Sequence, residues 1–204
     1  MPTSTNFLKH QIIFVSLMLI ASVVVADELS EREMAAEQVS QQFIKQLGSH
    51  LKKEMQEKGP VQAINVCKEI APEIANRLSI ENGWRVSRVT TKPRNSLLGT
   101  ADTWEHEALA EFEAKAAGGE KYETMNKSAV VDEDSQFYFR YMKPLALKPV
   151  CLTCHGSDKD IPAPVKAELE KLYPFDKAKG YKQGELRGAV SIKQPMDVPL
   201  SKKF

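Results

Sequence analysis

The chain has 204 residues, 28 Lys and Arg against 27 Asp and Glu, 42% hydrophobic and 27% charged residues. Its formal charge of +1 offers no electrostatic footprint for nucleic acid or an anionic membrane surface. The length suits one folded domain with a fair core.

The N-terminus carries Lys9 and His10, then apolar and small side chains over residues 12–26. That run is shorter than the roughly 20 residues a spanning helix needs, and Val24 and Ala26 are small enough to precede a cleavage point. The pattern predicts a signal peptide over residues 1–26 and a single domain over 27–204. An uncleaved anchor is the alternative. Either way the body of the chain is exported, which places it in the periplasm, with no membrane span after cleavage. Removing 26 of the 204 residues leaves 178, with 27 charges of each sign, since only Lys9 is lost.

Residues 29–58 repeat Val39, Phe43, Leu47 and Leu51 at helical spacing, with Ser30 and Glu33 as a capping box and Gly59-Pro60 as the stop. Pro60 suits the start of a second helix whose inward face carries Ile64, Cys67, Ile70, Ala71, Ile74 and Leu78. Pro72 cannot donate to the carbonyl of Lys68, so a kink or restart is expected one turn after the cysteine. Asn82-Gly83 ends that helix. Residues 84–90 read as a strand, 91–96 as a loop and 103–117 as a third helix stopped by Gly118-Gly119. Residues 122–131 and 136–147 read as a hairpin about Asp132-Glu133-Asp134. Residues 156–184 are polar, broken by Pro162, Pro164 and Pro174, with a short helix near 165–172, and residues 186–193 form a last strand. Helices first and strands later give an α+β domain with an antiparallel sheet.

Between the hairpin and that polar segment lies Cys151-Leu152-Thr153-Cys154-His155-Gly156. Two cysteines two residues apart, with histidine directly after, are the attachment signal for a c-type haem: both thiols bond to the haem and the imidazole ligates its iron. A zinc site needs a second donor pair, and no second closely spaced pair exists. A redox CxxC wants a preceding buried strand and a following helix, whereas Pro149 and Gly156 place this motif on a loop or single turn. If Cys151 and Cys154 hold haem, Cys67 is left unpaired in an oxidising compartment. Either it is simply buried, or it is the second axial ligand. Met34, Met55, Met125, Met142, Met196, His50 and His106 are rival ligands. Arg94, Arg88 and Arg140 are candidate partners for the haem propionates. The 49 residues after His155, including a strand, fit neither a small cytochrome c nor a four-helix cytochrome c′.

Asn65-Val66-Cys67-Lys68, Lys92-Pro93-Arg94-Asn95, Thr103-Trp104-Glu105, Arg140-Tyr141-Met142-Lys143-Pro144-Leu145, the haem motif and Gly184-Glu185-Leu186-Arg187-Gly188-Ala189-Val190-Ser191 occur in this order. Together, over about residues 64–195, they resemble a family of monohaem c-type proteins long catalogued as a domain of unknown function. Ser96 departs from that family's pattern, which tends to proline there. The resemblance implies a single PAS-like domain with one covalent haem c, and iron ligation by the motif histidine and a cysteine on an N-terminal helix, which map to His155 and Cys67. A thiolate opposite imidazole favours ferric iron and a low potential. The expected function is a redox or gas sensor that answers to a signalling protein or redox partner and takes a diatomic gas as ligand. A low-potential electron-transfer cytochrome is the alternative. A haem enzyme fits less well, because the sixth iron position is filled. A homodimer stays open.

Overall fold

The computed structural model describes the backbone of residues 5–200 and the side chains of residues 27–200. The signal-peptide reading of residues 1–26 concerns side chains outside the described residues. Helix α1 runs over Thr5–Glu57. The capping box expected at Ser30 and Glu33 is therefore absent. A box satisfies the free N–H groups of a helix start, and here the backbone is already helical. Glu33 instead accepts from Ser128 Oγ at 3.3 Å. Among the described residues no helix is long and apolar enough to cross a membrane.

Gly59, with φ of 81°, separates α1 from α2 (Gly59–Asn65). The kink expected at Pro72 takes the form of one π-helical turn, Val66–Ile70, before α3 (Ala71–Asn82). The N–H of Ala71 reaches back five residues to Val66 O, and Pro72 has no donor with which to restore the tighter α register. Gly83, left-handed at φ 71°, closes α3 by donating to Ser79 O.

Strand β1 (Arg85–Val89) leads through a short helix α4 (Ser96–Gly99), capped by Asn95, to α5 (Thr103–Ala117). Ser96 stands first in α4, where proline is also accommodated, so its departure from the family pattern leaves the turn intact. Helix α5 carries the capping box of this fold, with Asp102 and Glu105 as its members. The hairpin consists of β2 (Lys127–Glu133) and β3 (Gln136–Ala146). Its turn is tighter than expected. Asp134 and Ser135 are both left-handed, and Asp132 Oδ1 holds the Ser135 N–H at 3.0 Å, so Asp132 and Glu133 stay in the strand. At the other end, residues 122–126 are not strand. Tyr122–Thr124 form a 3-10 turn and Met125 is buried among α5 side chains.

Strand β4 (Leu186–Pro195) inserts between β1 and β3, giving the antiparallel order β1-β4-β3-β2. One face of the sheet buries Val86, Phe139, Tyr141, Val190 and Ile192 against Phe43 of α1 and Ile74 and Leu78 of α3. The other packs Val89, Met142, Leu186 and Ala189 on Leu109 and Phe112 of α5. The 3-10 turn Pro149–Cys151 and helix α6 (Leu152–His155) follow β3, and α7 (Ala163–Leu172) covers Ile64 of α2.

Candidate functional site

The Cys-Leu-Thr-Cys-His motif starts at the end of the 3-10 turn Pro149–Cys151 and continues through α6, so it is helical rather than a loop and ends at Gly156. Gly156 has no alternative: a Cβ there would lie 2.6 Å from Asp160 Cβ and 2.7 Å from Leu152 O. The segment after α7 is pinned to this turn, because Tyr181 N–H donates to His155 O at 3.0 Å and Gly180 N–H donates to Gly156 O at 2.8 Å. That register brings Ala178 O within 2.8 Å of His155 Nδ1. A carbonyl only accepts, so Nδ1 carries the proton and Nε2 keeps a free lone pair. Burial, followed by the Arg94 and Arg187 charges, holds the imidazole pKa well below its ordinary value, leaving it neutral.

Arg94 fastens the same turn. Its Nε donates to Asp176 at 3.0 Å, and its Nη2 bonds to the Cys154 carbonyl and, at 3.4 Å, to Ala178 O. Both partners are nearly sealed from solvent, with side-chain exposures of 8% and 1%. Arg94 thus positions the motif, and its charge is already answered.

His155 and Cys67 line one cavity of about 420 Å³. It lies between the π turn and α3 on one side and the ends of β1 and β4 on the other, with Phe43, Pro72, Leu98, Leu145 and Tyr173 in its walls. Cys151 and Cys154 are half-buried and are not among the residues that line it. Cys151 packs with Leu147, Ala178 and Tyr181, and Cys154 packs with Ile64, Ile161 and Val165. Burial pushes the Cys154 thiol up to about 11 and raises that of Cys151, and each also feels Cys67. The three thiols are free cysteines. No cluster of three or more His, Cys, Asp or Glu side chains suited to a metal ion occurs among the described residues. The arrangement is two donors, a thiol and a neutral imidazole, facing one space from well-separated segments.

A family model described as Tll0287-like matches residues 20–195. The chain belongs to the Tll0287-like family. Among solved structures it is similar to the cyanobacterial heme-protein Tll0287, at 24% identity over 85% of this chain and 98% of that one, with a TM-score of 0.60. At that identity the likeness speaks for the fold. No curated protein matches the chain.

In this Tll0287-like chain the rival ligands lie elsewhere. Met125 and Met142 are buried beneath α5, Met34 is exposed, Met55 is half-buried on α1 and outside the cavity lining, Met196 packs beside the α1 core, and His50 and His106 face solvent. Among the expected arginines, Arg94 and Arg88 line the cavity and Arg140 does not. Arg140 lies on the α5 face, paired with Asp102 at 2.8 Å, Glu105 at 3.1 Å and Glu133 at 2.9 Å. Its strand neighbours Phe139 and Tyr141 point to the cavity side, and alternation sends Arg140 the other way. The sequence reading missed Arg187, which lines the cavity from β4.

Proposed function

We propose that the chain is an exported monohaem c-type protein, bonded to its haem through Cys151 and Cys154, with His155 and Cys67 as axial ligands, and that it senses redox state or a diatomic gas. The observation that carries the reading is the shared cavity, where Cys67 and His155 supply the sulfur and the imidazole among the lining side chains. Its volume of about 420 Å³ falls in the range of cofactor sites. The donor set fits a haem, which takes only axial ligands from the protein, and imidazole and thiolate both serve. The Nδ1–H bond to Ala178 O fixes the tautomer that frees Nε2 for a metal. The solved relative's description as a heme-protein points the same way.

When bound, the haem supplies a one-electron iron couple, held toward the ferric state by thiolate ligation. Cys67 is then the switch. It would hold the iron through its Sγ, and a sulfur ligand there would favour the oxidised metal. The residue sits in a π turn between α2 and α3, an irregularity frequent at functional sites. A PAS-like sheet flanked by helices would pass the change to a signalling or redox partner.

Carbon monoxide tests this function. Added to the dithionite-reduced holoprotein, it is expected to shift the Soret band as the Cys67 position opens. A ferrous spectrum that carbon monoxide leaves unchanged would favour an electron-transfer cytochrome instead.

A further inference from the structure

Two cations face the cavity without a carboxylate. Arg94 is paired with Asp176 and Arg140 with three acids across the sheet, yet Arg88 and Arg187 enter no ion pair among the described residues. Each instead lies near an aromatic ring, Arg88 5.9 Å from the Phe43 centroid and Arg187 5.7 Å from that of Tyr181. Burial and the neighbouring guanidiniums lower the Arg187 pKa to about 10. Gathering unanswered positive charge at a partly buried site is unfavourable unless an anion completes it.

The backbone aims Arg187 there deliberately. Opposite β3, Leu145 pairs with Gly188 and Ala146 with Leu186, so Arg187 is the extra residue of a β-bulge. Leu186 packs on the α5 side, whereas Val190 and Ile192 face α1 and α3. The bulge changes the alternation between them and brings Arg187 to the cavity beside Gly188. Gly188 has φ of 147°, and a Cβ on it would lie 2.3 Å from Val89 O, so this geometry requires glycine.

We propose that Arg187 and Arg88 form an anion clamp that binds the two propionate carboxylates of the haem, with Arg187 delivered to the cavity by the bulge at Gly188. The clamp rests on the haem reading above. Two guanidiniums and two carboxylates balance in charge, and planar guanidinium is the side chain suited to bidentate carboxylate binding.

The test compares reduction potentials of the purified holoproteins at one pH, for the unaltered protein, Arg187→Gln, Arg187→Lys and Arg88→Gln, with covalent haem verified by mass. Arg85→Gln, an exposed cation on the same strand, serves as control. Loss of a cation beside the propionates favours the ferric form, so Arg187→Gln and Arg88→Gln are expected to lower the potential, Arg187→Lys to restore most of it, and Arg85→Gln to leave it unchanged. Haem-loaded Arg187→Gln and Arg88→Gln proteins with the unaltered potential would overturn the clamp alone. Should Arg187→Gln fail to fold, Arg88→Gln and Arg187→Lys decide the matter by the same readout. An unaltered protein that carries no haem would overturn the underlying reading as well.

Discussion

His155 meets the cavity as a neutral base because burial and the Arg94 and Arg187 charges disfavour its cation; its Nδ1–H is committed to Ala178 O, and Ala178 is held there by the Arg94–Asp176 pair. Substitution of Ala178's anchors Arg94 or Asp176 is expected to alter the orientation of the imidazole. Gly188 acts at the same scale. The Gly188→Ala variant places a methyl carbon against Val89 O in a backbone conformation that L residues avoid, and is expected to lose about 2–4 kcal/mol of stability. Urea unfolding measures this, and an unchanged midpoint would contradict the assigned bulge. What the sequence could nominate were residues whose chemistry is local, of which Cys67 and His155 line one cavity. The Cys-x-x-Cys-His spacing and one odd cysteine suffice to nominate four positions without knowing the fold. Arg187 was not legible, because its direction depends on a single extra residue in β4 that no alternation pattern reveals. Arg140 was misassigned for a related reason. Its identity suggested an anion partner, but strand register gave it to the opposite face.

The element that carries Cys67 is shaped by a residue five positions on. Pro72 cannot donate to Lys68 O, the Val66–Ile70 turn just before it takes π geometry, and Cys67 in that turn lines the cavity. Pro72→Ala supplies the missing donor and lets the segment relax toward α geometry. Thermal stability is expected to hold or rise, while the ferric low-spin fraction falls as Cys67 turns from the axis. An absorption spectrum identical to that of the unaltered protein would show that the π turn does not depend on Pro72. The sequence disclosed the interruption but not its form, since a proline signals only a lost hydrogen bond. Helix starts were harder. The Ser30/Glu33 pattern occurs inside α1, while the box that caps a helix is Asp102/Glu105, and the two differ only in whether the preceding backbone is already helical.

Across the whole molecule, the site exists because distant segments are brought to one end of the sheet. Helix α1 is locked across it by Arg32, which donates to Gln194 at 3.3 Å and to the carbonyls of Met196 and Val198 at 3.1 and 3.2 Å, and by Glu37, which accepts from Tyr141 and Lys143. These contacts hold Phe43 in the cavity wall. The last strand in the chain lies between the first and third, so Arg88 and Arg187 become neighbours only when β4 inserts. The α+β class and the existence of four strands were readable from residue content and turn residues, though the start of β2 was not. The strand order was not, because it depends on long-range pairing that leaves no local mark.

In the proposed function Cys67 and His155 share one iron. Absorption and electron paramagnetic resonance spectra of the ferric Cys67→Ala holoprotein test that directly. Covalent haem is expected to remain, with the thiolate-ligated low-spin signal lost. A low-spin ferric spectrum unchanged from that of the unaltered protein would contradict it.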